Sequence, residues 1–218
     1  MPLTTYFTLG SLSMPSSWIA LITAFVFAYT AIRFRYGKAH AAFVGDAFFY
    51  LVIVWKLSLF ITDFNSILRS PLAIFYFHGG IVGFYLGLLF ILGKVLWDLK
   101  KGRIDGEGIR ALFTGAVLVQ GVFQLLMVFL NEGELFAQVM TVTIFGLFTL
   151  FFWITSKKVE NWSFQLVLLF MAVHVFVAAT QPTGLFETPL VSTLLISVFF
   201  AVLFWKEGRV KGKLEDQL

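Results

Sequence analysis

Apolar residues fall in seven long runs, at roughly 16–34, 46–63, 77–97, 109–130, 136–154, 163–180 and 188–206, with short polar connections between them. Each run is close to the ~20 residues that a helix needs to cross a bilayer. The Phe-rich runs lack the apolar–polar alternation of a barrel strand, so the pattern predicts helices throughout. No basic stretch precedes the first run and charge follows it, which reads as a first span and not as a cleaved signal peptide. The expected fold is all-α: a polytopic integral membrane protein, one seven-helix transmembrane domain over 1–218.

Charge placement adds an orientation. Connections 1–2, 3–4 and 5–6 and the C-terminal tail hold 14 of the 16 Lys and Arg residues, from Arg33, Arg35 and Lys38 to Lys211 and Lys213. Of the other two, Arg69 lies in an opposite loop and Lys56 inside the second run. Basic loops stay in the cytoplasm, so the N-terminus is expected outside and the C-terminus inside. Trp18, Trp97, Trp153, Trp162 and Trp205 sit near run ends, as an interfacial aromatic belt requires.

Composition agrees and excludes several chemistries. The 218 residues are 59% hydrophobic and 13% charged, with a mean hydropathy of +0.90. A soluble domain carries roughly a quarter charged residues. The absence of cysteine removes disulfides, thiolate catalysis and thiolate metal sites. The net charge of +4 is explained by the topology and does not argue for nucleic acid. No cofactor fingerprint, nucleophile elbow or His/Asp/Glu cluster with metal spacing occurs, so neither cofactor nor metal is expected.

Candidate chemistry gathers toward the outer side of this topology. Gly79, Gly83 and Gly87 recur every fourth residue, with Gly80 beside the first, giving a smooth helix face that a neighbour can approach closely. His78 stands just before that stripe, either as an interfacial anchor or as a functional imidazole. His174 lies in the outer half of the sixth run, where an ionisable group suggests function. Gln120 and Gln124 share one face of the fourth run and suit interhelical hydrogen bonds. Asn131, Glu132 and Glu134 follow that run, as solvated turn residues or as polar support for a site. Lys56 is too deep to reach the interface easily and calls for an anionic partner such as a lipid head group.

The stretch from Asp46 to Leu88 resembles the prolipoprotein diacylglyceryl transferases of bacteria. It has an acidic residue opening the second span (Asp46), Lys56-Leu57 where the family has an Arg-Leu pair late in that span, an outer loop with Pro71, and His78-Gly79-Gly80 with Gly83 matching His-Gly-Gly-x-x-Gly. Leu9-Gly10-Ser11-Leu12-Ser13 is similar to the family's outer, strand-like lead-in. The resemblance implies seven spans and an outer-leaflet cavity in the bacterial cytoplasmic membrane. The implied reaction moves the diacylglyceryl group of phosphatidylglycerol to the lipobox cysteine of a preprolipoprotein signal peptide, and glycerol phosphate leaves. It makes His78 and His174 the candidate catalytic residues, Lys56 and Arg69 the candidates for the lipid phosphate, and Gln124, Asn131 and Glu134 their polar support. The chain departs from the family at Gly121–Glu134, where the signature arginine and first asparagine are missing, and in the sixth span, which lacks an arginine. A non-catalytic lipid-binding or scaffold protein on the same fold is the alternative. It follows from those missing cations, because preorganised charge on a departing phosphate contributes several kcal/mol per donor.

Overall fold

The computed structural model describes residues 5–9, 12–69, 78–156, 162–182 and 184–215; the side chains of 9, 12, 66, 69 and 209–215 are outside that description. A short antiparallel hairpin comes first, β1 (Tyr6–Leu9) and β2 (Leu12–Pro15), with Tyr6 opposite Pro15 and Leu9 opposite Leu12. Helices follow: α1 (Ser16–Tyr36), α2 (Lys38–Leu57), α3 (Leu59–Thr62), α4 (Phe64–Arg69), α5 (Gly80–Lys100), α6 (Gly106–Leu130), α7 (Leu135–Thr155), α8 (Ser163–Ala179) and α9 (Thr188–Glu215). The protein is an all-α, multi-pass membrane protein to which the hairpin is a small addition. Among the described residues, six helical stretches are long and apolar enough to span, including α2 and α3 taken together as Lys38–Thr62. The sixth expected run is α8, whose 17 residues reach about 25 Å at 1.5 Å per residue. That is a little short of the ~30 Å hydrocarbon core.

Two boundaries differ from the sequence expectation for physical reasons. The second helix starts at Lys38 and not near Asp46, which lies exposed inside α2. The break is a single residue, Gly37, whose φ of +88° is a left-handed conformation that favours glycine. The Lys-Ala-His-Ala-Ala segment after it is strongly helix-forming although it is too polar to count as part of an apolar run. α9 likewise continues to Glu215, past the apolar run that ended near 206, because helix formers follow it with no proline to stop it.

The chain folds as two compact units, Met1–Ala31 with Phe113–Leu218, and Ile32–Leu112. In the second, α2 and α5 are the main packed pair. A Cβ on Gly87 would stand 3.0 Å from Leu51 Cδ1 and 3.1 Å from the Leu51 carbonyl oxygen, so α2 and α5 approach closely at this glycine. At the far end of α5, buried Asp98 accepts from Lys94 one turn earlier and from Arg103 at 3.3 Å. Two cations thereby compensate a carboxylate that would be costly if buried alone.

In the other unit, Phe113 of α6 meets Phe152 of α7 (5.5 Å between centroids), Phe170 of α8 (6.1 Å) and Phe200 and Phe204 of α9 (5.2 and 5.8 Å). These edge-on and tilted contacts are the favoured aromatic geometries. The hairpin is tied to this unit at Asn131, whose Oδ1 accepts from the Thr5 N–H at 2.8 Å and from Ser16 Oγ at 2.7 Å. Its Nδ2 donates to the Met127 carbonyl at 2.8 Å.

Candidate functional site

The sequence candidates fall into two separate clusters, one in each unit. In the Ile32–Leu112 unit the site begins with an interruption of the second helix. α2 ends at Leu57 and α3 starts at Leu59. The Trp55 carbonyl beside this break accepts from Ser58 Oγ (2.7 Å) and, across to the next span, from the Gly79 N–H (3.1 Å). Backbone groups at a helix break inside a membrane need such internal partners. The approach is possible only for glycine. A Cβ on Gly79 would stand 1.9 Å from Ser58 Oγ, and one on Gly83 2.0 Å from the same atom. Gly80, between them, is required for conformation instead, with φ at +60°.

This fit brings His78 onto Trp55. The two rings stack with centroids 4.3 Å apart and planes inclined by 35°. Trp55 Nε1–H donates to the Gly80 carbonyl at 2.7 Å, and the Gly80 N–H donates to His78 Nδ1 at 3.0 Å. Since Nδ1 accepts, the imidazole is neutral and carries its proton on Nε2. Burial, and secondarily the charge of Lys56, hold His78 below its ordinary 6.5. Lys56 is half-buried on α2, next in sequence to Trp55. An ammonium and an imidazole N–H together suit an anion. Of the other phosphate candidates, Arg69 ends α4 and its side chain lies outside the described residues. Pro71 lies outside them too.

In the other unit, His174 of α8 is 3% exposed and bonded at both ring nitrogens. Gln124 Nε2–H of α6 donates to its Nε2 at 3.1 Å, and its Nδ1–H donates to Thr193 Oγ1 of α9 at 2.7 Å. The Phe145 ring meets it edge-on at 5.1 Å. The structure thus brings His174 and Gln124 together, and Gln124 is the hydrogen-bonding residue between helices that its spacing suggested. Asn131 is the tie described above, with its carbonyl also accepting from Gln138 Nε2 at 3.2 Å. Glu134 is exposed and supplies the backbone conformation just before α7, with no side-chain bond to that helix's first turn.

Sequence reasoning missed Trp55, Ser58 and Thr193. Trp55 and Ser58 flank Lys56-Leu57 and, three residues apart, share a helix face that Lys56 does not, so the signal lay beside Lys56 and not on its face. Thr193 stands with Ser192 and Ser197 in a run otherwise apolar, a small polar set that invites a partner on another helix.

No family model matches the chain. Over 120 residues it is 33% identical to the quinoprotein glucose dehydrogenase of Gluconobacter oxydans (strain 621H), a match covering 54% of this chain. The chain spans 13% of the length of that curated relative. No solved structure matches it.

Proposed function

We propose that the Ile32–Leu112 unit recognises the head group of an anionic phospholipid, with Lys56 and the Nε2–H of His78 as its donors. The observation that carries this is the glycine-mediated fit of α5 onto Ser58, which seats His78 on Trp55 and within the electrostatic reach of Lys56. A cation and a neutral N–H donor at a helix break match a phosphodiester. The family resemblance supplies phosphatidylglycerol as the lipid. In this reading the chain crosses the bacterial cytoplasmic membrane seven times, N-terminus outside, as one transmembrane domain with α8 among the spans. The site then opens toward the outer leaflet.

The second reading is catalysis: transfer of diacylglyceryl to a lipoprotein cysteine. It is favoured by the His-Gly-Gly-x-x-Gly run, in which Gly79 and Gly83 meet a steric demand and Gly80 a conformational one. In that reaction the thiol proton passes to a base, a carbon–sulfur bond forms and glycerol phosphate departs. His78 can serve as the base only by releasing the Gly80 N–H from Nδ1, so head-group binding is the reading that the geometry supports better.

The test is purified protein in nanodiscs with labelled phosphatidylglycerol and a lipobox peptide. Retention of the lipid over phosphatidylcholine, weakened on the order of tenfold (~1.4 kcal/mol) by Lys56→Met, is expected. Equal retention of both lipids would sink the head-group reading. Label on the peptide cysteine, lost in His78→Ala, would establish transfer.

A further inference from the structure

A second polar feature lies wholly within the Phe113–Leu218 part, and the lipid reading does not use it. Five buried side-chain atoms there have no hydrogen-bond partner among the described residues. Ser156 Oγ stands apart, just past the end of α7; the other four are Gln120 Nε2, Gln124 Oε1, Thr149 Oγ1 and Ser197 Oγ. They come from three helices, α6, α7 and α9, around the bonded triple Gln124–His174–Thr193. Gln124 is 2% exposed and Ser197 1%.

Helical geometry places these atoms in one layer. α6 and α9 run in opposite directions, since Phe113 meets Phe200 and Phe204, while Gln124 reaches Thr193 through His174. Gln120 precedes Gln124 by one turn, and Ser197 follows Thr193 by one turn. Both steps therefore lead the same way along the bundle, by about 5.4 Å. Thr149 joins them from α7: a Cβ on Gly121 of α6 would stand 2.5 Å from its Oγ1. Farther along, the layer is closed by Phe113, Phe148, Phe152, Phe170 and Phe200, with Phe148 stacked on Phe170 at 5.8 Å.

We propose that this layer is an internal water site beneath His174, holding bound water against Gln120, Gln124, Thr149 and Ser197. The donor set chooses the ligand. One amide N–H donor, one amide carbonyl acceptor and two hydroxyls that do both match the two donors and two acceptors of water. No formal charge stands among the four to hold an ion. Left dry, each atom would carry the full desolvation penalty of an unpaired polar group. An apolar floor on one side and the His174 triple on the other confine the site. His174 thereby gains a hydrated neighbour inside the membrane portion.

Two measurements on the full chain in nanodiscs test it. In radiolytic hydroxyl labelling with 18O-water, an internal water labels the ring beside it even where bulk solvent has no access. Phe145 is 0% exposed and Phe200 4%. Label on these two rings with slow isotope exchange is expected. Thermal unfolding of Ser197→Ala, Thr149→Val and the double variant is the second. Removing a hydroxyl that holds a shared water lowers Tm by about 2–4 °C, and the double variant loses less than the sum. Removing a dry, orphaned hydroxyl raises Tm instead, and the two gains add. A rise in Tm, or the absence of label on Phe145 and Phe200, overturns the proposal.

Discussion

The indole of Trp55 and the imidazole of His78 stack with their centroids 4.3 Å apart, while the Gly80 backbone bonds to both residues. The stack makes the tryptophan a reporter of the histidine's charge, because an imidazolium in contact with an indole quenches its emission. His78 is held below its ordinary 6.5 by burial and then by Lys56. The folded state therefore binds the proton less readily than the unfolded chain. Stability contributed by the neutral ring is full above 6.5 and is lost as pH falls toward the folded value. In a variant retaining Trp55 as its single tryptophan, emission should fall on acidification with a midpoint below 6.5, and His78→Gln should abolish the titration. A midpoint at or above 6.5 would contradict the neutral, buried arrangement.

The glycine stripe makes a graded prediction. Gly79→Ala and Gly83→Ala drive a methyl into Ser58 Oγ and should each cost about 1–3 kcal/mol, the range for overpacking. Ser58→Ala should recover part of both losses, since it deletes the atom at 1.9 and 2.0 Å and leaves the more distant Cβ. Gly93→Ala, with nothing within 4 Å of the added methyl, should be neutral or mildly stabilising. Thermal unfolding of the single and double variants reads all of this. Equal effects at 79, 83 and 93 would show that backbone propensity and not the Ser58 contact sets the cost.

Much of this architecture was legible in the sequence. Six of the seven apolar runs coincide with helical stretches long and apolar enough to span, because burial in lipid demands continuous apolar length, while the run at 163–180 forms the shorter α8. Other features were hidden for definable reasons. Gly37 breaks the chain by conformation, not polarity, so hydropathy alone moves the start of α2 to Asp46. The interruption at Ser58 lies within Leu-Ser-Leu-Phe, whose composition does not distinguish it from continuous helix. Gln124 and His174 are 50 residues apart, and Asn131 is 115 from Ser16. Periodicity assigns each of these a face, and only the fold assigns its partner.

Asn131 supports a third prediction. Its carboxamide oxygen serves both the part-buried Thr5 N–H and the buried Ser16 Oγ, so Asn131→Ala removes the partner of each. The buried Ser16 hydroxyl left unpaired costs about 1–3 kcal/mol, and the Thr5 N–H, open to water, costs less. The loss should fall on the hairpin and the first turn of α1, where hydrogen exchange of residues 6–9 and 12–17 should accelerate well beyond that of α5. Asn131→Asp keeps the acceptor oxygens but loses the N–H that meets the Met127 carbonyl, and should be intermediate. Uniform acceleration throughout the chain would mean that Asn131 supports global packing and not this local tie.

The start of α6 carries the last prediction, one that separates a cap from an ion pair. Asp105 stands immediately before the helix, and its Oδ1 accepts from the Gly108 N–H at 2.8 Å, the bond of an N-cap aspartate. The same oxygen is 3.8 Å from His40 Nε2. The Gly108 bond and, more weakly, His40 hold this carboxyl below its ordinary 3.8. A lowered carboxylate contributes stability that is present above the unfolded value and is lost as pH falls through the folded one. The side chain is 73% exposed, so solvent screens the His40 attraction and the cap should dominate. Asp105→Ala should then cost about 1 kcal/mol at neutral pH, and Asp105→Asn, which can still cap, only a few tenths. Below pH 4 the wild-type protein should approach the Ala variant, while the Asn variant, with nothing to protonate, keeps its margin. Unfolding midpoints at pH 7 and pH 3 decide the matter: an Asn variant as weak as Ala at pH 7 would assign the stabilisation to His40 and not to the cap.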